Sequence, residues 1–164
     1  MTKKYNVLVN TMDKSVKDSI AVREMQEIDV DGVMSIEKKS FSTPWSREAF
    51  QLEVTKNSLA KYIVALRDKK IVGYAGMWLI INEGHITNIA VDPQVRGQGI
   101  GDILVKELIN ICKSLNIKAI TLEVRRTNYV AKSLYKKYGF KEAGVRPRYY
   151  SDNKEDAIIM WKEF

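Results

Sequence analysis

The longest regular pattern of apolar residues in the chain begins just after residue 99. Apolar side chains recur there at intervals of three and four residues, which is the spacing of an amphipathic helix. They are Ile100, Ile103, Leu104, Leu108, Ile111, Cys112 and Leu115. Shorter runs on both sides are rich in β-branched and aromatic residues, which favour strands. The pattern therefore predicts one long helix between groups of strands.

Before the long helix, the pattern predicts one strand, two helices and a three-stranded meander. Asp29 or Asp31 is expected to cap the first helix, which ends near Ser40. A break that contains proline follows, and Ser46 is expected to cap the second helix. In chain order the strands are expected at 21–25, 61–66, 71–80 and 86–91, with a turn at Asn82-Glu83-Gly84.

After the long helix, the pattern predicts a strand, a helix and two closing strands. Asn128 is expected to cap the helix and Gly139 to end it. The strands are expected at 117–124, 140–145 and 157–161. This order is typical of an α+β fold, and the strand–helix–strand unit around residues 86–124 is expected to be parallel.

Residues 1–19 are polar, lean basic and carry no clear periodicity. We expect them to form an N-terminal extension, either a disordered tail or a loosely attached strand, and not a separate domain. The remaining residues, 20–164, are enough to build a single domain with its own core.

Composition narrows the class of protein. Hydrophobic residues make up 45% of the chain and charged residues 29%, which is usual for a globular protein. No apolar run reaches the roughly 18 residues that cross a bilayer. The single cysteine, Cys112, cannot form an intramolecular disulfide, and no long apolar stretch follows the first residues as in a secretory signal. We therefore expect a cytoplasmic protein that contacts no membrane.

The formal net charge of +7 favours anionic partners without identifying them. Nucleic acid, the ribosome surface and a polyphosphate cofactor are all compatible with it. One histidine and one cysteine argue against a metal site built from those residues. The histidine, His85, lies beside a predicted turn, where a surface position is more common than a catalytic one.

A glycine-rich loop separates the meander from the long helix. Gly97, Gly99 and Gly101 occur within five positions, and glycine leaves the backbone uncovered. Free N–H groups at the start of the next helix can bind phosphate. A P-loop would need Gly-Lys-Ser/Thr here, and a Rossmann fingerprint would need a glycine at Asp102 or Leu104. Both patterns fail, which leaves another kind of phosphate site or a purely structural turn.

A second group of polar residues follows the long helix. Alternation along 120–124 places Glu123 on the face opposite its apolar neighbours. Taken singly, Glu123 is a solvated charge, Asn128 a helix cap and Tyr135 a core aromatic. Their functional interpretation depends on the resemblance described next.

Arg96-x-x-Gly99-x-Gly101, preceded by Ile89-Ala90-Val91-Asp92-Pro93, resembles the acetyl-CoA motif of the GNAT acetyltransferase superfamily. The resemblance implies the GNAT acyl-CoA N-acyltransferase fold, with a mixed sheet of about six to seven strands flanked by about four helices. It implies acetyl-CoA as cosubstrate, its pyrophosphate held by the loop backbone and its thioester oxygen polarised by an N–H of the preceding strand. The implied cofactor-binding residues are Ile89, Ala90, Val91, Arg96, Gly97, Gln98, Gly99, Ile100, Gly101 and Asp102.

Further segments resemble the ribosomal-protein alanine N-acetyltransferase (RimI) branch of the superfamily, over about residues 20–162. They are Phe41-Ser42-Thr43-Pro44-Trp45-Ser46, Leu122-Glu123-Val124-Arg125, Asn128, Leu134-Tyr135, Gly139-Phe140, Tyr149-Tyr150 and 155–160. The resemblance implies that Glu123 is the general base, Tyr135 the general acid and Asn128 a CoA contact. One departure is Gly97, which stands where many relatives carry a basic or bulkier residue.

Three aromatic residues on predicted loops are candidates for the peptide entrance, and they could equally cover the core: Trp45, Tyr149 and Tyr150.

The expected partner is the N-terminus of a ribosomal or other protein, with the N-terminal alanine of a small-subunit ribosomal protein as the first hypothesis. A broader acetyltransferase of N-termini, lysines or small amines is the second. A non-catalytic module that binds the ribosome or RNA is the third. The chain lacks the aromatic pattern of an RRM and a KH-type GxxG loop, so direct nucleic-acid binding is not expected.

Overall fold

A computed structural model describes residues 19–164 of the chain. They form seven strands, four α-helices and two short 3₁₀ turns. In chain order the elements are β1 (Ala21–Glu24), a 3₁₀ turn (Glu27–Asp29), α1 (Val30–Ser40), α2 (Arg47–Thr55), β2 (Ala60–Arg67), β3 (Lys70–Ile80), β4 (Glu83–Val91), a 3₁₀ turn (Pro93–Val95), α3 (Ile100–Ser114), β5 (Ala119–Arg125), α4 (Tyr129–Lys137), β6 (Lys141–Arg146) and β7 (Ala157–Glu163). The predicted order of elements is confirmed. The expected N-terminal extension is residues 1–19, of which residues 1–18 lie outside the described part.

The seven strands form one mixed sheet in the order β1-β2-β3-β4-β5-β7-β6. Strands β1 to β4 are antiparallel neighbours, and β7 is antiparallel to both β5 and β6. The predicted parallel pair is β4 with β5, and it is short. Only Glu83, Gly84 and His85 pair with β5 residues, so the two strands separate from Ile86 onwards.

Each face of the sheet has its own hydrophobic core. On one face α3 buries the apolar stripe predicted from its spacing, which includes Leu104, Leu108 and Cys112, against the strands. On the other face α1 and α2 pack against β2 and β3, with Phe50 in T-shaped contact with Tyr74 at 5.6 Å between ring centroids. Burial of these side chains contributes most of the stability of such a fold. The helices packed on the two faces hold the sheet in which β4 and β5 separate.

Local capping signals were predicted correctly in two helices. Ser46 Oγ accepts a hydrogen bond from the Ala49 amide at 3.1 Å, and Asn128 Oδ1 accepts one from the Ala131 amide at 3.1 Å. Gly139 ends α4 with φ of +86°, a left-handed conformation that glycine adopts without strain.

Asp29 occupies the N-cap position of α1, as predicted, but its side chain makes no capping hydrogen bond. Asp29 precedes the helix, but its carboxylate accepts hydrogen bonds from Arg23 at 2.6 and 2.8 Å and from the Gln26 amide at 2.8 Å. Asp31 lies inside the helix and pairs with Arg47. Because the Asp29 carboxylate binds Arg23 on β1, it is not available to cap the start of α1.

The predicted turn at Asn82-Glu83-Gly84 is displaced towards the N-terminus. The turn lies at residues 81–82, and β4 begins at Glu83. Gly84 is needed for packing and not for the turn, because a Cβ there would lie 3.0 Å from the Cys112 sulfur on α3. No helix within residues 19–164 is both long and apolar enough to cross a membrane.

Candidate active site

The separation of β4 from β5 opens a cleft between two central strands of the sheet. Two cavities occupy it: a glycine-loop cavity of about 760 Å³ beside residues 96–102, and a carboxylate cavity of about 580 Å³ that contains Glu123. Six residues line both cavities: Ser40, Phe41, Ile89, Asn128, Ala131 and Tyr135. The two cavities therefore meet beside β4 and the start of α4.

The glycine-loop cavity contains the start of α3. Gly97 and Gly99 have φ of +76° and +82°, and a Cβ at either position would meet no atom within 4 Å. Glycine is required there by the backbone conformation and not by crowding. The first helical hydrogen bond runs from Ile103 N–H to Gly99 O at 3.2 Å. The N–H groups of Ile100, Gly101 and Asp102 thus lie at the positive end of the helix dipole without intrahelical partners.

Side chains around this loop hold its shape. Arg96 Nε donates to Val91 O at 3.1 Å, and its guanidinium reaches Ser40 Oγ at 3.2 Å. Gln98 lies outside the cavity wall and accepts a hydrogen bond from Arg67 at 2.7 Å. Asp102 accepts hydrogen bonds from Lys137 and, at 3.3 Å, from the Tyr138 hydroxyl, which ties α3 to α4.

The edge of β4 that faces the cleft carries free backbone groups. The Asp92 amide donates to Val72 O on β3 at 2.9 Å. Because backbone groups of a strand point to alternate sides, the amides of Val91 and Ile89 point away from β3, towards the separated β5. Ala90, between them, is buried, and all three residues line the glycine-loop cavity. Ile89 also lines the carboxylate cavity, so its backbone lies where the two cavities meet.

Glu123 lies on β5 in the wall of the carboxylate cavity, with its side chain partly exposed. Its Oε1 accepts a hydrogen bond from Arg146 Nε at 2.9 Å. The carboxylate is therefore oriented by a charged partner and remains accessible to a ligand in the cavity.

Tyr135 lies on α4 between the two cavities. It is 5% exposed and packs against Phe140 at 5.7 Å between ring centroids. Within residues 19–164 its hydroxyl makes no hydrogen bond. Burial, with the nearby Tyr150, raises the pKa of the Tyr135 phenol above its usual value of 10.0. The hydroxyl therefore keeps its proton throughout the neutral pH range and can donate it to a group in the cleft.

The three candidate entrance aromatics all line the carboxylate cavity: Trp45, Tyr149 and Tyr150. Trp45 also packs against Phe50, with ring centroids 5.4 Å apart. Tyr149 is 49% exposed and meets Tyr150 edge to face, and burial raises the pKa of Tyr150 to about 12. His85 lies outside both cavities and pairs with Glu83 at 2.9 Å.

Sequence reasoning missed a network centred on Arg125. The guanidinium donates to Asp152 at 2.8 Å and to Glu155 at 3.3 Å, and it stacks on the Tyr150 ring at 3.9 Å. Asp152 also accepts a hydrogen bond from Ser42 Oγ at 2.6 Å. The network closes the carboxylate cavity by joining the loop after α1 to the loop between β6 and β7. Arg125 lies two residues after Glu123 and therefore on the same face of β5. Its partners Asp152 and Glu155 lie 27 and 30 positions further along the chain, and no local sequence pattern indicates these contacts.

A buried carboxylate, Glu37, was also missed. It is 2% exposed, and its oxygens accept hydrogen bonds from the Trp45 amide at 2.9 Å and from the Tyr74 hydroxyl. Desolvation raises the pKa of Glu37 above its usual value, against the lowering effect of the Trp45 amide. Glu37 therefore holds the loop that carries Trp45 against the sheet. In the sequence, Glu37 occupies an ordinary position of the predicted helix, so nothing there indicated this contact.

The glycine-loop cavity fits the diphosphate and arm of a coenzyme A thioester. Its volume lies within the range of cofactor sites, roughly 300–1,000 Å³. Free helix N–H groups face one end, and the free edge of β4 lines the other. No cluster of three or more potential metal ligands occurs within residues 19–164.

Residues 30–140 match the sequence model of the Acetyltransferase (GNAT) family, and the chain belongs to that family. Members of the family use acyl-CoA, so the fold and cleft define an acetyltransferase. The predicted family and fold are confirmed.

Several relatives are similar along nearly their whole length. The [ribosomal protein bS18]-alanine N-acetyltransferase of Escherichia coli K12 is 32% identical over 85% of this chain and 94% of its own. A Bacillus subtilis (strain 168) protein, whose name assigns it the same activity provisionally, is 42% identical over 89% of this chain and 97% of its own. The crystal structure of the E. coli ribosomal-protein-S18-alanine N-acetyltransferase superposes with a TM-score of 0.81 at 30% identity, covering 88% of this chain and 93% of that one. A Thermoplasma acidophilum PaiA N-acetyltransferase in complex with coenzyme A shares the fold, with a TM-score of 0.75 at 22% identity over 90% of this chain and all of that one.

Proposed function

We propose that this protein transfers the acetyl group of acetyl-CoA to the α-amino group of the N-terminal alanine of ribosomal protein bS18. The observation that carries the proposal is the 42% and 32% identity to relatives named for that activity, over 89% and 85% of the chain. The cleft supports it, because Glu123 and Tyr135 line one cavity that opens onto the glycine loop.

The cofactor half of the cleft binds acetyl-CoA, which supplies an acyl group activated as a thioester. The amides of Ile100, Gly101 and Asp102 bind its diphosphate at the positive end of α3. Asn128, at the junction of the two cavities, contacts the cofactor arm. The Ile89 amide donates to the oxygen that becomes negatively charged when the carbonyl is attacked.

Glu123 acts as the general base for the incoming amine. An α-amino group has a pKa near 7.7–8.0, so a large share of it is already neutral close to physiological pH. The ionised fraction loses its proton to solvent before it reacts, so a carboxylate, directly or through one water, takes only the proton that the nitrogen loses as the C–N bond forms. A lysine side chain, with a pKa near 10.4, is much harder to present as the free amine.

Tyr135 acts as the general acid for the leaving group. The neutral amine nitrogen attacks the thioester carbon and forms the C–N bond, and the C–S bond breaks. The nitrogen loses a proton to Glu123, and the departing thiolate takes the phenol proton of Tyr135. The proton released to Glu123 returns to the phenol through solvent, so the products are the acetylated N-terminus and free CoA.

A panel of amines tests the proposal. The purified protein is incubated with acetyl-CoA and, separately, an alanine-starting bS18 peptide, the same peptide with a blocked N-terminus, a free lysine derivative and a polyamine. Release of CoA with the first peptide alone supports the assignment. Release with the blocked peptide or the small amines, and not with the free N-terminus, assigns a different acceptor to the same fold.

A further inference from the structure

Asn88 lies on β4 in the wall of the carboxylate cavity, one residue before Ile89. It is 9% exposed, and its Oδ1 accepts hydrogen bonds from the Tyr62 hydroxyl at 2.9 Å and from Thr87 Oγ1 at 2.8 Å. Throughout the described part of the chain, Nδ2 donates to no group. One end of the amide is therefore held by two hydroxyls, and the other end leaves its N–H donors at the cavity wall.

The core fixes this amide from behind. Gly76 on β3 pairs with Tyr62 on one side and with Asn88 on the other, so the three residues form a row across the sheet. A Cβ at Gly76 would lie 2.1 Å from the Tyr62 ring. Glycine thus lets the Tyr62 ring cross β3 and reach Asn88. The ring is 4% exposed and packs against Phe50 at 6.2 Å between ring centroids, so it cannot turn away easily.

Because two hydroxyls fix the orientation of the amide and no group in the described residues accepts from Nδ2, its N–H donors are available to a ligand in the cavity. Glu123 lines the same cavity from the facing strand, and Ile89 follows Asn88 directly. The side-chain N–H donors of Asn88 therefore lie beside the position at which the proposed reaction places the acceptor amine.

We propose that Asn88 Nδ2 donates a hydrogen bond to the carbonyl oxygen of the first residue of the acceptor, and that this contact selects α-amines. The inference rests on the proposed function. In every peptide N-terminus, the carbon that carries the amine is bonded directly to a carbonyl carbon. In a lysine side chain, the amine is followed by methylene groups only, so Nδ2 gains no acceptor from the substrate.

A cycle that pairs a protein change with a substrate change tests the contact. The substrates are an alanine-starting bS18 peptide and its analogue with a CH=CH group in place of the first C(=O)–NH, which keeps the shape and removes the carbonyl oxygen. The proteins are wild type, Asn88→Ala and a control, Asn110→Ala, on the exposed face of α3. Asn88→Ala leaves the Tyr62 and Thr87 hydroxyls 2.9 Å apart and bonded to each other, so the variant is expected to fold.

Wild type and Asn110→Ala are expected to prefer the peptide over the analogue in kcat/KM by about threefold to tenfold more than Asn88→Ala does, the effect of one hydrogen bond. The more basic amine of the analogue affects all the proteins alike and cancels in this comparison. A second variant, Tyr62→Phe, releases one anchor of the amide and is expected to lose part of the preference while its unfolding remains cooperative.

Two results overturn the inference. The same preference in wild type and Asn88→Ala, without loss of rate on either substrate, shows that Asn88 makes no carbonyl contact. An equal loss on both substrates in Asn88→Ala shows that the residue only supports the strand. If wild type acetylates neither substrate but modifies other amines, the proposed function itself fails, which is a distinct outcome.

Discussion

Arg146 Nε lies 2.9 Å from Glu123 Oε1, and this contact joins the edge strand β6 to the wall of the cleft across β7. The residue proposed as general base is therefore half of an ion pair. The pair lies at the rim of the cavity, where its contribution to stability is small, so its main effect is to orient the carboxylate.

Replacement of the base tests this arrangement. Glu123→Gln keeps the shape and the contact with Arg146 but cannot accept a proton. We expect kcat for peptide acetylation to fall by about 10²–10⁴ while acetyl-CoA binding is unchanged. Stopped assays of CoA release and calorimetric titration with acetyl-CoA measure the two quantities. Arg146→Gln is expected to lose less activity than Glu123→Gln, and the reverse order would contradict the assignment of the base.

Tyr135→Phe removes the proposed acid and retains the packing against Phe140. Because the hydroxyl has no hydrogen-bond partner in the described residues, we expect the free energy of unfolding to change little and kcat to fall by about 10²-fold or more. Since the pKa of Tyr135 is raised above 10.0, the wild-type rate is not expected to fall through loss of this proton at any pH below 10. Tyr129→Phe, on the exposed side of the same helix, is the control and is expected to retain wild-type kinetics.

Gly99→Ala tests the glycine loop. Alanine at a φ of +82° is strained by roughly 1–2 kcal/mol, and its methyl group would project into open space where the diphosphate is proposed to bind. We expect a loss of acetyl-CoA affinity by calorimetry that exceeds the loss of stability. Gly144→Ala is a matched control, because its Cβ would make an ordinary contact with Ile159 at 3.5 Å. Equal acetyl-CoA affinities in the two variants would argue against the proposed phosphate site.

Acid is expected to loosen the loop that closes the carboxylate cavity. The Ser42 and Arg125 contacts lower the pKa of Asp152 from 3.8 to about 2, and the Thr127 contacts lower that of Glu155 from 4.5 to about 2. Carboxyl groups with lowered pKa values stabilise the folded state above their unfolded pKa, and that contribution is lost as pH falls towards the folded pKa. It is therefore complete above about pH 4.5 and lost on approach to pH 2.

Denaturant unfolding of Asp152→Asn and Glu155→Gln checks this expectation. Both variants should be less stable than wild type at pH 7, and the difference should shrink as the pH is lowered from 4.5 to 2. A difference that is constant across this range would show that the lost contacts are not ionic.

The parts of the fold that were predicted correctly depend on signals local in sequence. The apolar spacing of α3, the cap of α2 at Ser46 and the cap of α4 at Asn128 are each set within a few residues. Glycine conformation in the loop at Gly97 and Gly99 is likewise a local property. These signals, with the family resemblance, were enough to predict the fold and the family.

The parts that were missed depend on residues far apart in sequence. The Asp29 carboxylate binds Arg23 and makes no capping hydrogen bond with α1. Glycine is favoured at position 84 because a side chain there would crowd Cys112, which lies on a helix distant in sequence. The cleft exists because β4 leaves β5 after three paired residues, which no periodicity along either strand reveals. Buried polar contacts such as that of Glu37 with the Trp45 amide are invisible in sequence for the same reason.

The central claim is tested most directly by locating the acetyl group on the product. The protein, acetyl-CoA and unmodified bS18 are incubated together, and the modified residue is identified by fragmentation mass spectrometry, with Glu123→Gln as the matched control. The account predicts one acetyl group on the α-amine of the N-terminal alanine, and at least about a hundredfold less of this product with the variant in the same time. An unmodified α-amine beside acetylated lysine side chains would contradict it.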